Sequence, residues 1–227
     1  MPIKRLVNEK CFDIWTPESA YLLGLLMADG TLTTNPRGSR YVEFVSTDRE
    51  LVDCFRSFMK SNHKISLKKR PASTAMKPWK PMFRIQVGNK KMLSQLSKIG
   101  LSKKNIVPQM PKKYYRHFTR GFFDGDGCVV FSQFFRRERQ KMQKYFQVLF
   151  VSRYRRFLKQ LLGVLKCGAK LNGGSLHKGD RCHRLMFCQR DGVKLFDYLY
   201  NGVGKGLRLS RKYKIFREGA RHFGVVV

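Results

Sequence analysis

The chain has 227 residues and carries 47 Lys or Arg against 15 Asp or Glu, a formal net charge of +32. Its hydrophobic content of 42%, with 18 Phe and 9 Tyr, supplies a core and excludes a disordered basic tail. Such a charge opposes compaction unless a polyanion offsets it, so nucleic acid is the first candidate partner and an anionic membrane the second.

Residues 1–15 read as an extension, and MPIKRLVNEK lacks the apolar core of a signal peptide. Thr16-Pro17-Glu18 marks a helix start: Thr16 is a natural N-cap, Pro17 suits the first turn and Glu18 favours the positive end. The helix continues through AYLLGLLMADG to Asp29-Gly30. Its apolar run from Tyr21 to Ala28 is far too short to span a bilayer, so no membrane role is expected. TTNPRGSR reads as a hairpin tip, YVEFVS as a β-rich run, and the stretch on to Lys60 as an amphipathic helix. KISLKKR and MFRIQVGN alternate as strands, and NKKMLSQLSKI is a short helix. GLSKKNIVP closes this half, and residues 100–113, with Pro108 and Pro111, join it to the next.

The order then repeats. HFTRGFFDGDG places Gly121, Asp126 and Gly127 each 97 residues after Gly24, Asp29 and Gly30. FFRRERQKMQK reads as a hairpin tip, YFQVLFVS as a strand, and the stretch to Lys166 as a helix. AKLNGGSL and CHRLMFCQ are read as strands, DGVKLFDYLYN as a helix, and GLRLSRKYKIF as the closing phrase. A period near 100 residues means a duplicated domain. The fold expected is α+β, two α-β-β-α-β-β-α halves spanning 1–108 and 109–227.

Six Cys without paired spacing read as free thiols in a reducing, intracellular compartment. His177, Cys182, His183 and Cys188 do not make a zinc site: on one strand, Cys182 and Cys188 stand about 20 Å apart and neighbours face opposite ways.

A stripe made mostly of small residues recurs at a spacing of four: Ala20, Gly24 and Ala28, then His117, Gly121 and Gly125. Such stripes let two helix backbones approach closely. If these helices pack in parallel, Asp29 and Asp126 emerge together at their C-terminal ends. A carboxylate there is unfavourable by about 0.3–1 kcal/mol, and two facing each other repel further. A local rule broken twice suggests a function, with a divalent cation as neutraliser.

LLGLLMADG and TRGFFDGDG resemble the two signature helices of the LAGLIDADG homing endonucleases in their single-chain, two-motif form, and the element order extends the resemblance over nearly the whole chain. The resemblance implies a pseudo-twofold fold with the motif helices at its centre and two antiparallel sheets forming a saddle along the DNA major groove. It implies Mg²⁺-dependent hydrolysis of both strands of a long, asymmetric double-stranded site, with Mn²⁺ substituting. Asp29 and Asp126 would be the metal-binding acids, helped by the carbonyls of Ala28 and Gly125. Lys104 and its repeat partner Lys212 would lie near the scissile phosphates, with Lys103 and Arg211 as less favoured neighbours. The first motif departs from the pattern with Met27 where the second has Asp124, expected as a helix-end residue or one that supports the site from behind, rather than a ligand. Ser46 and Ser152 stand where the family often has a water-holding polar residue.

Recognition is expected from the strands. Alternation leaves Arg84 and Gln86 facing outward in one, and Lys64, Ser66, Lys68 and Arg70 in another. By the same parity Ser132, Tyr145, Gln147, Arg181, His183 and Gln189 are candidates in the second half. The hairpins add Thr33, Asn35, Arg37, Arg40, Tyr41, Arg136, Arg137, Arg139 and Lys141. A monomer with no obligate protein partner is expected, in an organelle or a prokaryotic cytoplasm. Two competing readings remain: a maturase that binds intron RNA, and a DNA-binding regulator on a catalytically dead copy of the scaffold.

Overall fold

The computed structural model describes residues 5–68 and 80–224. Helix α1 (Pro17–Asp29) starts at a reciprocal cap: the Ser19 N–H donates to Thr16 Oγ1 at 3.1 Å and the Thr16 N–H to Ser19 Oγ at 2.8 Å. Every residue from Ser19 to Met27 is buried, so α1 is a core helix on all sides rather than an amphipathic surface one. Strands β1 (Gly30–Thr34) and β2 (Arg40–Ser46), helix α2 (Arg49–Phe58), strands β3 (Ser66–Leu67) and β4 (Phe83–Val87) and helix α3 (Lys90–Ile99) follow. A single 3-10 turn leads into α4 (Tyr115–Asp126), and the order repeats with β5 (Gly127–Arg136), β6 (Lys141–Ser152), α5 (Arg155–Ala169), β7 (Ser175–Lys178), β8 (His183–Cys188) and α6 (Gln189–Tyr200).

The sheets are antiparallel and share one topology, β1-β2-β4-β3 and β5-β6-β8-β7. Each half is therefore α-β-β-α-β-β-α, as the sequence implies, and the two halves meet where α1 packs along α4. One face of each sheet enters a continuous core. Val42, Phe44, Ile85 and Val87 do so in the first sheet, and Val129, Phe146, Val148, Phe150, Leu185 and Phe187 in the second.

Four sequence expectations change. GLRLSRKYKIF opens an eighth element of the second half, helix α7 (Ser210–Phe223), whereas its repeat partner GLSKKNIVP forms turns, because Pro108 follows too soon for a helix to grow. The second hairpin is mostly strand: β5 and β6 pair out to Arg136 and Lys141, leaving only residues 137–140 as the tip. β7 begins at Ser175, later than AKLNGGSL suggests, since Gly174 takes φ +109 and breaks the extension. Of KISLKKR, β3 covers Ser66–Leu67, and Arg70 lies outside the described residues.

Candidate functional site

The site begins with two glycines. A Cβ on Gly24 would fall on the Phe118 carbonyl oxygen, and one on Gly121 on the Tyr21 carbonyl oxygen. Only glycine lets α1 and α4 approach this closely, backbone to backbone. Ala20 is fully buried on the same helix, and Gly125 lies against the Ala28 methyl and beside the Asp29 carboxylate. The helix ends thus bring Asp29 and Asp126 into electrostatic contact. Burial pushes the Asp29 carboxyl up to about 7, the Asp126 charge adds to the rise, and Lys104 and Lys212 oppose it. Burial also raises Asp126, again against the pull of Lys104 and Lys212.

The same lysines answer the dipole problem. Lys104 Nζ donates to the carbonyls of Ala28 at 3.3 Å and Gly30 at 2.6 Å, closing the negative end of α1. Lys212 Nζ lies over the end of α4, against the carbonyls of Phe123 (2.8 Å), Asp124 (2.8 Å), Gly125 (3.1 Å) and Gly127 (2.6 Å). An ammonium has three protons. Lys212 shares all of them among four acceptors, whereas Lys104 has two acceptors among the described residues. Burial depresses both lysines, with the nearby acids pulling the other way. Lys103 and Arg211 make neither contact; Arg211 turns instead to Asp48.

Asp124, in the last turn of α4, ties neighbouring elements together. It is wholly buried and accepts from the Tyr21 hydroxyl at 2.8 Å, the Tyr200 hydroxyl at 3.2 Å and the Leu209 N–H at 2.9 Å. Beside it Arg120, also wholly buried, donates to the carbonyls of Leu207 and Leu199 and contacts His117 Nδ1. Sequence reasoning missed this polar core. The available signal was an Arg and an Asp, four residues apart, on the buried stripe of the second motif. Ser46 and Ser152 are likewise engaged: each hydroxyl accepts the N–H two residues on, from Asp48 at 3.1 Å and Tyr154 at 3.2 Å. They close matching turns, one in each half.

β1 and β5 start directly after the two acids, so the sheet faces opposite the core extend from the site. In the first sheet the register puts Thr33 opposite Tyr41, Glu43 opposite Gln86 and Ser66 opposite Arg84 on that face. Glu43, absent from the sequence-based candidates, binds Lys68 at 2.8 Å and Gln86 at 2.7 Å. Its parity with Tyr41 was the available signal. Arg37 sits in the exposed β1–β2 turn, but Asn35 spends its side chain closing that turn, accepting from the Ser39 N–H at 2.8 Å. Arg40 is a correction: it shares parity with Val42 and borders a surface groove with Lys90, Leu93 and Lys98 of α3, away from the outward face.

In the second sheet Ser132 pairs Tyr145, and Arg136 pairs Lys141, on the outward face with Gln147. Arg137 and Arg139 occupy the tip. Three candidates are corrected. His183 has the parity of the core residues Leu185 and Phe187, so Arg184, Met186 and Cys188 face outward instead. Arg181 lies in the β7–β8 turn at φ +52, and Gln189 is the first residue of α6. The run Leu-Met-Phe is apolar on both parities, which hides the face from a sequence count.

The site thus consists of paired helices, each ending in an acid under a lysine, with a four-stranded antiparallel sheet following each. Residues 16–98 form a LAGLIDADG-like domain by family-model match, and the chain as a whole has the fold of the single-chain, two-domain LAGLIDADG homing endonucleases. The solved structures it resembles include the LAGLIDADG meganuclease I-AabMI bound to uncleaved DNA (TM-score 0.58, 13% identity, 92% of this chain and 90% of that one). Others are I-WcaI bound to its DNA recognition sequence (0.60, 11%, 90% and 91%) and I-DmoI in complex with DNA and Mn (0.56, 14%, 83% and 98%). Comparison with curated protein sequences finds no match. At such identities the structural likeness establishes the fold alone.

Proposed function

We propose that this protein is a site-specific homing endonuclease that hydrolyses both strands of a long, asymmetric DNA duplex with the help of Mg²⁺. The observation that carries the reading is the meeting of Asp29 and Asp126 at paired helix ends, each helix end capped by a lysine. Two neighbouring half-buried carboxylates with raised affinity for protons are an oxygen donor set short of positive charge, and this suits a hard divalent cation. Among the described residues no group of three or more His, Cys, Asp or Glu gathers, so the remaining donors would be the carbonyls of Ala28 and Gly125, water and the DNA phosphates. A bound cation would supply charge neutralisation and an acidified water to phosphodiester hydrolysis.

This chain's own residues do the rest. Asp29 and Asp126 orient the reacting centre and, ionised, would hold the cation. Lys104, with two acceptors among the described residues for its three protons, donates to the scissile phosphate as charge builds. Lys212 holds the α4 end, and so Asp126, in place. The outward sheet faces, with Arg84, Gln86, Tyr145, Gln147 and Arg184, bind and read base edges, while Arg37, Arg137 and Arg139 follow the backbone. We further place the division of the chain at residue 108, with a monomer acting inside an organelle or prokaryotic cell.

The test is a pool of long randomised duplexes incubated with protein and Mg²⁺. Cutting that disappears in Asp29→Asn and in Asp126→Asn, with duplex binding kept, supports the reading. Retention of intron RNA with no duplex ever cut would replace it by an RNA-binding one.

A further inference from the structure

Three carboxylates hold the first turn of α7, which carries Lys212. Asp124 accepts from the Leu209 N–H at 2.9 Å. Glu50, from the first half, accepts from the Ser210 N–H at 3.2 and 3.1 Å and from its hydroxyl at 2.5 Å. Asp48, also from the first half, takes the Arg211 guanidinium in a two-pronged pair, Nε to Oδ1 at 2.6 Å and Nη2 to Oδ2 at 2.7 Å. The start of α2 therefore grips the start of α7 across the boundary between the halves. As a half-exposed ion pair, Asp48–Arg211 contributes little to stability. Its parallel hydrogen bonds nonetheless impose one orientation on the turn.

The second half grips its counterpart segment less firmly among the described residues: Gln160 of α5 accepts from the Val107 N–H at 2.8 Å, a single neutral hydrogen bond three residues beyond Lys104. In the repeat, Asp48 and Glu50 correspond to Tyr154 and Arg156, and the first turn of α5 holds no acid. No carboxylates stand at those places to fix the segment bearing Lys103 and Lys104.

We propose that Asp48 and Arg211, with Glu50, form a positioning clamp that fixes Lys212 and the α4 end bearing Asp126, so that one strand's cut depends on the clamp and the other's does not. The proposal rests on the endonuclease reading above, and its test separates the two. Asp48→Asn and Arg211→Gln are compared with wild type on a duplex recovered from the randomised pool and labelled separately on each strand. Amide exchange is measured over Leu209–Tyr213.

In the clamp variants exchange there rises about tenfold, as expected for local opening. Cutting of one strand, the one most slowed by Lys212→Met, falls about tenfold or more, since small misplacements are costly, while the other stays within about twofold. The swap Asp48→Arg with Arg211→Asp restores both readouts. Equal slowing of the two strands, or no change in exchange, overturns the clamp. Raised exchange in a protein whose wild type cuts no duplex overturns the nuclease reading and the strand dependence with it, leaving only the grip.

Discussion

The Tyr21 hydroxyl donates to the Asp124 carboxylate at 2.8 Å, joining α1 of the first half to α4 of the second inside the core. Asp124 is raised to about 6 by burial and is held that low by this hydrogen bond first, then by Lys212 and the Leu209 N–H. Tyr21→Phe removes a donor that the charged form needs most. Unfolding should lose about 1–3 kcal/mol, and the loss should be larger at pH 8, where Asp124 is ionised, than at pH 5. Denaturant titrations at the two pH values check it; an equal loss at both would mean that Asp124 is not charged in the native protein.

Close approach of α1 and α4 makes a second prediction. Gly24→Ala or Gly121→Ala sets a methyl on a carbonyl oxygen of the facing helix, where no side-chain rotation relieves it. The cost should be about 3 kcal/mol or more. Gly163→Ala, in α5 with open space around it, should stabilise by about 0.5–1 kcal/mol. Thermal unfolding of the three variants side by side decides this.

Asp29 gives a pH dependence. Its native carboxyl titrates at about 7, against 3.8 for the ordinary group. The proton is therefore bound more tightly in the folded protein. The resulting stability is fully present below about pH 4 and is lost as pH rises through 7. Asp29→Asn removes this loss. Without divalent cations the variant should exceed wild type in stability by on the order of 2 kcal/mol at pH 8 and fall toward parity near pH 4. His117, depressed to about 4 by burial and by Arg120, has the opposite slope in both proteins and cancels in the difference. Added Mg²⁺ should raise the melting temperature of wild type at pH 8 and leave the variant's nearly unchanged.

The two lysines should part company. Lys212→Met strips the α4 end of its cap and should destabilise by about 2–3 kcal/mol. Lys104→Met takes the donor from two carbonyls, of half-buried Ala28 and buried Gly30, against four at Lys212, and should cost about 1 kcal/mol while slowing duplex cutting strongly. Melting temperatures and single-turnover rates on both variants check the contrast.

On the sheet faces, Arg184→Ala and Arg84→Ala should each cost about 1–3 kcal/mol of binding and relax base preference at one position. His183→Ala, on core parity, should leave base preference intact. Selection of bound duplexes from a randomised pool with each variant reports the change.

Much of this molecule was legible in one dimension. The repeat of Gly24 and Asp29 as Gly121 and Asp126 predicted a duplicated α+β fold, because close helix packing and turn chemistry are local demands on residue type. Alternation placed Arg84, Gln86, Tyr145 and Gln147 correctly where apolar and polar residues strictly alternate. It failed at His183, where Leu185, Met186 and Phe187 blur the period, and at Arg181 and Gln189, which lie beyond the strand ends. The closing phrase of each half looked alike, yet only the second becomes a helix.

The sequence alone determined the local pattern: which helices have a glycine stripe, which residues end them, and which strand faces can be apolar. The tertiary structure decided who meets whom. Lys212 over the end of α4, Tyr21 on Asp124 and Arg211 on Asp48 join residues 85 or more positions apart. Such pairings depend on how whole elements pack, and no periodicity along the chain encodes them.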